Sequence, residues 1–165
     1  MAEQEKDALY GVGGWLLFLV VIIGIISPLR VLVETAANLN IDDATAASLG
    51  PNWGTYVGLT WVIAALSVVG AIWLAWRLYK VHTPQTLKIA KVGLWALAFA
   101  PSLADMATSA LLFPDIMGAY FGGDFAIQFA KLFVFPTVWT LYLFKSRRVA
   151  NTYGGAEKDA HDIFA

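Results

Sequence analysis

The sequence predicts an all-α, polytopic membrane protein, a four-transmembrane-helix bundle with the N-terminus and the C-terminus in the cytoplasm. Hydrophobic residues make up 59% of the 165 residues and charged residues 14%, against roughly 25% charged residues in a soluble domain. The hydrophobic residues form four stretches, each long enough for the about 20 helical residues that cross a bilayer. Lys and Arg are concentrated in alternate connections between these stretches. Together these observations favour lipid as the solvent of the chain.

Composition also narrows the classes of function. The chain contains no cysteine, which excludes disulfides, thiolate catalysis, iron–sulfur clusters and cysteine-ligated zinc. Its formal net charge is −1, so no basic excess indicates nucleic-acid binding. The acidic N-terminus and the length of the first apolar stretch are unlike a signal peptide, and we expect the first span to stay in the mature protein.

The predicted spans belong to a transmembrane domain of residues 1–150. They cover residues 11–33, 56–79, 89–113 and 125–144. The first span contains Pro28 and is closed by Glu34, and the small, polar residues 35–54 that follow predict an outer loop. Trp and Tyr side chains at the ends of the second span fit an interfacial belt. Residues 151–165, rich in Gly, Ala and charge, are predicted to form a mobile cytoplasmic tail.

Basic residues set the predicted orientation. There are none in residues 35–54, four in residues 77–91, none in residues 114–124 and three in residues 145–148. The positive-inside rule therefore places the second connection and the C-terminus in the cytoplasm. With four spans, the N-terminus is then cytoplasmic as well.

Three ionisable residues, Arg30, Asp105 and Lys131, lie within or near the apolar spans. A charge there costs about 2.5 to 3.5 kcal/mol on insertion scales, so each needs a partner or water. At 1.5 Å per residue, Asp105 and Lys131 both lie roughly 10 to 15 Å below the outer surface, which predicts an ion pair. Arg30 lies nearer the surface and can pair with Glu34, one turn away.

The predicted Asp105–Lys131 pair has two interpretations. In the first it is a structural salt bridge that fixes the packing of the third and fourth spans. In the second it is an ion or proton site in a water-filled cavity. We favour the structural interpretation, because a transport site usually needs more polar lining than these spans supply.

Small residues recur along one side of two spans. The stripe on the second span consists of Ser67, Ala71 and Ala75, and that on the third consists of Ala96, Ala100, Ala104 and Thr108. Such stripes predict packing seams, either inside the bundle or toward a partner. Pro101 and Pro136 predict bends in the third and fourth helices.

No catalytic, cofactor-binding or metal-binding residue is predicted, and we expect that the chain is not an enzyme. His82 and His161 fall outside the spans, so paired haem ligation within the bilayer has no candidates. The glycine-rich residues 11–14 follow no strand and lack the third glycine of a dinucleotide loop. Asp42 and Asp43 supply too few ligands for a calcium loop.

Two sequence blocks carry a family resemblance. One consists of Gly13-Gly14-Trp15-Leu16 followed by Ser27-Pro28-Leu29, and the other runs from Trp139 through Tyr142, Lys145-Ser146-Arg147-Arg148 and Asn151-Thr152 to Tyr153. In these blocks the chain resembles the bacterial family called domain of unknown function 2569, whose members are four-span membrane proteins. The resemblance implies the four-span topology and no particular activity.

The basic end of the last span is a candidate interface anchor or docking site. It consists of Trp139, Tyr142, Lys145, Arg147 and Arg148. Aromatic side chains suit the lipid–water boundary, and each cation beside anionic headgroups contributes around 1 kcal/mol. A docking surface for a cytoplasmic or membrane partner would use the same residues.

These features predict a non-catalytic protein of the bacterial inner membrane, an accessory or scaffold subunit of a larger assembly. The expected partners are the bilayer, anionic lipid headgroups at the cytoplasmic face, and other membrane subunits or copies of the same chain. No cofactor and no nucleic acid are expected. The alternative is a small oligomeric transporter or channel in which Asp105 and Lys131 line a path.

Overall fold

The computed structural model of the chain describes residues 10–116 and 125–154, and all the regular structure within those ranges is helical. We number the helices in chain order: α1 (Trp15–Leu39), α2 (Asp43–Ser48), α3 (Asn52–Lys80), α4 (Pro84–Leu112), α5 (Phe125–Lys145) and α6 (Arg147–Tyr153). Helices α1, α3, α4 and α5 are long and apolar enough to cross a membrane. The predicted all-α, four-span fold class is therefore confirmed.

The first span begins and ends later than predicted. Gly11 and Gly14 have φ angles of 86° and 57°, so they form a turn, and α1 begins only at Trp15. At the other end, Glu34 does not terminate the helix, because its carboxylate pairs with Arg30 one turn earlier. The helix continues to Leu39.

The turn Ile22–Ile26 of α1 is a π-helix. Pro28 has no backbone N–H, so the carbonyl of Gly24 has no donor at the usual four-residue spacing. A π turn moves the hydrogen bonds to five-residue spacing, which is one way for a transmembrane helix to accommodate proline. Gly24 also allows α1 to approach α3 closely, since an added Cβ would lie 2.8 Å from the Cβ of Ala75.

The third span begins earlier than the predicted residue 89. Thr83 has an extended backbone, and its hydroxyl oxygen accepts a hydrogen bond from the Thr86 backbone N–H at 3.3 Å. Thr83 is thus the N-cap of α4, and Pro84 occupies the first helical position, where its missing N–H removes no intrahelical bond. The predicted connection therefore contributes the first turn of the helix.

Consecutive spans pack against each other, α1 on α3, α3 on α4 and α4 on α5. We call the end of the bundle with residues 11–14, residues 81–83 and α6 the terminal face, and the opposite end, with α2, the distal face. The buried hydrophobic cluster of the described residues consists of Leu16, Leu19, Ile23, Ala71, Leu74, Ala75, Leu78, Ala90, Leu94, Trp139, Leu143, Val149 and Tyr153. These residues lie in the half of the bundle next to the terminal face, which is its tightly packed part.

The two small-residue stripes have different environments. Ala71 and Ala75 of α3 are buried and face the core, where Ala75 meets Gly24 of α1. On α4, by contrast, Ala96 and Ala100 are exposed and line an open groove beside α3. Ala71 and Ala75 of the α3 stripe therefore form a seam inside the bundle, whereas Ser67 of the same stripe lines the groove with Ala96 and Ala100 of α4.

Candidate functional site

Helix α6 lies across the terminal face and is the last element that the structure describes. Ser146, in extended conformation, is its N-cap, and the Ser146 hydroxyl accepts a hydrogen bond from the Val149 backbone N–H. Isolated helices shorter than about 12 residues are marginal in water, so the seven-residue α6 depends on contacts with the rest of the chain. Three of its side chains, Val149, Thr152 and Tyr153, are buried and provide those contacts.

Tyr153 joins α6 to the end of α3. Its side chain is 1% exposed, and its hydroxyl donates a hydrogen bond to the backbone carbonyl of Leu78. This carbonyl lies in the last turn of α3, where carbonyls lack intrahelical partners. The ring also packs nearly perpendicular to the His82 ring, with ring centroids 5.6 Å apart. Burial raises the pKa of the Tyr153 hydroxyl well above its usual value, and the nearby Tyr142 adds to the effect.

Thr152 joins α6 to the turn before α1. Its hydroxyl oxygen accepts a hydrogen bond from the Gly11 backbone N–H at 3.0 Å. The hydroxyl hydrogen lies within reach of two carbonyls, that of Arg148 at 2.8 Å and that of Gly11 at 3.3 Å. A Cβ at Gly13 would lie 2.7 Å from the Arg148 guanidinium, so only glycine fits here without displacing that side chain. We call the bonds of Thr152 to Gly11 and of Tyr153 to Leu78 the terminal clamp.

The described part of the terminal face carries cations and no carboxylate side chain. The cations are Arg77, Lys80, Lys88, Lys91, Lys145, Arg147 and Arg148. The described carboxylates belong to Glu34, Asp42, Asp43, Asp105 and Asp115, all of which lie in the distal half. Some of the cations lie against aromatic rings, including Lys91, whose ammonium is 3.4 Å from the centroid of the Phe144 ring. The surface is thus basic and interleaved with aromatic side chains.

The predicted anchor residues separate into two groups. Trp139 is buried, 7% exposed, and contacts the rings of Trp15 and Phe18, so it belongs to the core and not to the membrane boundary. Tyr142 is half-buried and packs edge-on against Trp139. Lys145 and Arg147 are exposed, and Arg148 is half-buried beside the Gly-rich turn.

The structure does not bring Asp105 and Lys131 together. Asp105 accepts a hydrogen bond from the Tyr56 hydroxyl at 2.9 Å, across the contact between α3 and α4. Lys131 is exposed, and its ammonium donates to the Gln128 side chain at 3.3 Å, one turn earlier on α5. The ion pair between described residues is Arg30–Glu34, with 2.7 Å between Arg30 Nε and Glu34 Oε1. The predicted Asp105–Lys131 pair is therefore not formed here, because similar depth in two helices does not make their side chains face each other.

Aromatic side chains connect α4 to α5 instead. The ring of Phe99 lies 4.8 Å from that of Phe133 and 5.9 Å from that of Phe129, both edge-on. Nearer the terminal face, the indole N–H of Trp95 donates to the Thr140 hydroxyl at 3.2 Å. These contacts provide the packing of the third and fourth spans that the predicted salt bridge was expected to provide.

The acids of the distal loop have a capping role. Asp42 is the N-cap of α2, and its two carboxylate oxygens accept from the Thr45 backbone N–H and hydroxyl, both at 2.8 Å. These hydrogen bonds, the backbone one first, hold the pKa of the Asp42 carboxyl below its usual value. Among the described residues, no group of three or more His, Cys, Asp or Glu side chains is placed to hold a metal ion.

Sequence reasoning missed the terminal clamp. The sequence predicts Asn151, Thr152 and Tyr153 as part of a mobile tail, whereas the structure places them in α6; residues 155–165 of that tail lie outside the described residues. A signal was present, because Ser146 precedes a short run with apolar Val149 and Tyr153 four residues apart, which is the spacing of one helix face.

A family model matches residues 9–154 of the chain, and its description is protein of unknown function (DUF2569). Comparison with curated proteins and with solved structures gave no match. The matched region contains all four spans and both sides of the terminal clamp, from Gly11 to Tyr153. The chain therefore belongs to the DUF2569 family of membrane-spanning proteins of unknown function.

Proposed function

We propose that the chain is a non-catalytic membrane protein that acts by association, as an accessory or scaffold subunit of a membrane assembly. The observation that carries this proposal is the terminal clamp, which fixes α6 against the bundle. Val149, Thr152 and Tyr153 face inward, while Arg147 and Ala150 are exposed on the same short helix. The clamp therefore holds a defined outer surface of α6 in a fixed orientation.

A fixed orientation favours a protein partner over a simple lipid anchor. Attraction of cations to anionic headgroups, around 1 kcal/mol for each Lys or Arg, requires no particular orientation of a helix. A protein interface requires its contact groups to be held in place by the packing of the residues behind them. The buried hydroxyls of Thr152 and Tyr153 meet that requirement, since each joins α6 to another part of the chain.

Other described polar groups inside the bundle also join helices. The Tyr56–Asp105 hydrogen bond connects α3 to α4, and the Trp95–Thr140 hydrogen bond connects α4 to α5. Polar contacts of this kind stabilise helix packing where water is absent. They support a rigid body that presents surfaces to partners.

The orientation and location belong to the same proposal. We infer that the terminal face is cytoplasmic, because the described part of that face carries seven cations, Arg77, Lys80, Lys88, Lys91, Lys145, Arg147 and Arg148. The multi-pass protein would then lie in the inner membrane of a bacterium, with anionic headgroups around the terminal face. Its protein partners would be other membrane subunits or further copies of the chain.

The alternative function, a small transporter or channel, has less support. A path lined by both Asp105 and Lys131 requires them to face a common space. Asp105 instead lies at the contact between α3 and α4, and Lys131 is on the exposed side of α5. Nothing in the part of the chain that the structure describes favours transport over association.

Site-specific photo-crosslinking in native membranes tests the proposal. A photoreactive amino acid is introduced at the exposed Ala150 of α6 or, as a control, at Val92, which is 70% exposed on the side of α4. We expect a discrete protein adduct from position 150 that is lost when Arg147→Glu is added, and lipid adducts alone from position 92. Lipid adducts alone from both positions would contradict the proposal.

A further inference from the structure

An open groove runs between α3 and α4 at the middle of the apolar layer. It has a volume of about 270 Å³, and its lining includes Leu66 and Ser67 from α3 and Ala96, Ala100, Pro101 and Ala104 from α4. The Ser67 hydroxyl donates to the carbonyl of Ile63 in its own helix at 2.7 Å, so it offers no spare hydrogen to an occupant. The groove is therefore suited to an apolar chain.

A half-buried cationic side chain, that of Arg77, lies on the same side of α3, nearer the terminal face. The Nε atom of Arg77 is buried and has no hydrogen-bond partner among the described residues. Its guanidinium lies over the ring of Trp73, with 5.7 Å from the guanidinium carbon to the ring centroid. A buried N–H of a charged group is unfavourable without an acceptor, which indicates that an anionic oxygen belongs here.

The distance between the groove and Arg77 allows a single ligand to occupy both. Leu66 and Arg77 are eleven residues apart, which is about three helical turns, so they lie on one face of α3 at a separation of about 16 Å. That separation is about half the roughly 30 Å thickness of a hydrocarbon core. A phosphate at Arg77 would therefore place an attached acyl chain along the groove, toward the bilayer centre.

From this alignment we propose that Arg77 and the α3–α4 groove together bind one anionic phospholipid. The Arg77 guanidinium donates to the phosphodiester, and one acyl chain packs against Leu66, Ala96 and Ala100. A net negative headgroup fits better than a zwitterionic one, because the described part of the terminal face holds cations and no carboxylate. This site is separate from the exposed surface of α6 and does not depend on the function proposed for it.

A transmembrane helix is a less suitable occupant. Helices α3 and α4 touch at the floor of the groove, where a Cβ at Gly70 would lie 3.5 Å from Leu97. Their contact leaves a shallow groove beside the exposed Ala96 and Ala100 of α4, and not a gap for a helix about 10 Å across. An apolar helix would also leave the Arg77 N–H without an acceptor.

Native mass spectrometry of the unaltered chain provides the first test. The full chain is purified in mild detergent and offered equal amounts of phosphatidylglycerol and phosphatidylcholine. We expect one phosphatidylglycerol to be retained per chain in clear preference to phosphatidylcholine. Equal retention of the two lipids, or no retention of either, would overturn the proposal.

Thermal unfolding of variants assigns the lipid to this site. Arg77→Gln removes the donor, and Ala100→Leu fills the groove; Lys88→Gln and Ala65→Leu are the matched controls, since both residues are exposed and outside the groove. We expect phosphatidylglycerol to raise the unfolding temperature of the native chain and both controls. The first two variants should bind it about tenfold more weakly. Unchanged phosphatidylglycerol affinity in both variants would overturn the proposal, as would a photoreactive group at position 100 that captures protein and no lipid.

Discussion

The hydroxyl of Tyr153 donates a hydrogen bond to the backbone carbonyl of Leu78, a residue 75 positions earlier in the chain. The bond satisfies a carbonyl that the last turn of α3 cannot satisfy itself, and it places an aromatic ring beneath the packed half of the bundle. The C-terminal block of the described chain is thereby part of the folded core. Substitutions of Tyr153 can therefore measure how much this block contributes to the stability of the fold.

Removal of the Tyr153 hydroxyl should lower the free energy of unfolding. Tyr153→Phe keeps the ring but leaves the Leu78 carbonyl without its donor, and we expect a loss of about 1 to 3 kcal/mol of unfolding free energy. Tyr10→Phe is the control, because Tyr10 is 59% exposed. Chemical or thermal unfolding in detergent measures both. Equal stability of the two variants would show that the hydrogen bond contributes nothing.

The buried hydroxyl of Tyr153 also predicts a pH dependence. Its pKa is raised by burial above the ordinary value of 10.0, so the folded state holds the proton more tightly than the unfolded state. The stabilisation is complete below about pH 10 and is lost progressively as the pH rises beyond it. Unfolding measured from pH 8 to pH 11 should show this loss in the native chain and a smaller one in Tyr153→Phe. Parallel curves would contradict the assignment.

Glycines at close helix contacts should respond differently from glycines in open space. Gly24→Ala adds a methyl group beside Ala75, and we expect overpacking of about 1 to 3 kcal/mol to exceed the gain of about 1 kcal/mol in helix propensity. Adding Ala75→Gly should restore part of the stability. In contrast, Gly58→Ala meets no atom within 4 Å and should stabilise α3. If the single variant Gly24→Ala were more stable than the native chain, α1 and α3 would be less tightly packed than in the structure.

Double-mutant cycles distinguish the observed partner of Asp105 from the predicted one. Combining Tyr56→Phe with Asp105→Asn should give a coupling energy of about 1 kcal/mol, because the two side chains share a hydrogen bond. Combining Asp105→Asn with Lys131→Met should give less than about 0.5 kcal/mol, as expected for side chains without contact. If the Asp105–Lys131 coupling energy were the larger of the two, the result would support the salt bridge predicted from the sequence.

The sequence was informative about the spans because the length of apolar stretches is a direct physical requirement of the bilayer. It was less informative about their ends. Pro84 looked like part of a connection, but a proline at the first helical position after a Thr cap starts a helix as readily as it ends one. Glu34 looked like a terminus, but pairing with Arg30 lets the helix continue.

Side-chain direction explains why the Asp105–Lys131 prediction failed. Counting residues gives depth along a helix axis, and both residues do lie in the distal half of their helices. It does not give the rotation of each helix, which the aromatic contacts of Phe99 and Phe133 help to set. Asp105 instead accepts a hydrogen bond from the hydroxyl of Tyr56, which lies near the start of α3. Tyr56 is uncharged, so a search of the sequence for charged partners does not identify it.

Labelling tests the proposed orientation, and the absence of cysteine from the native chain makes single-cysteine variants suitable. Two variants are used, Ser48→Cys and Gln85→Cys. Position 48 lies in α2 near the distal face, position 85 lies near the terminal face, and both native residues are exposed. In intact cells, a membrane-impermeant maleimide should label position 48, and it should label position 85 only after the cells are lysed. Labelling of position 85 alone in intact cells would place the terminal face outside.

Association through the clamped surface of α6 is the central claim, and quantitative recovery of partners tests it most directly. The tagged chain is purified from native membranes alongside Arg147→Glu and a charge-matched control, Lys88→Glu, an exposed cation of α4 near the same face. Membrane proteins that co-purify are then quantified by mass spectrometry. We expect a specific partner, or a second copy of the chain, to fall at least about tenfold with Arg147→Glu, which corresponds to about 1.4 kcal/mol, and to persist with Lys88→Glu. Equal recovery of every co-purifying protein from all three samples would contradict the account.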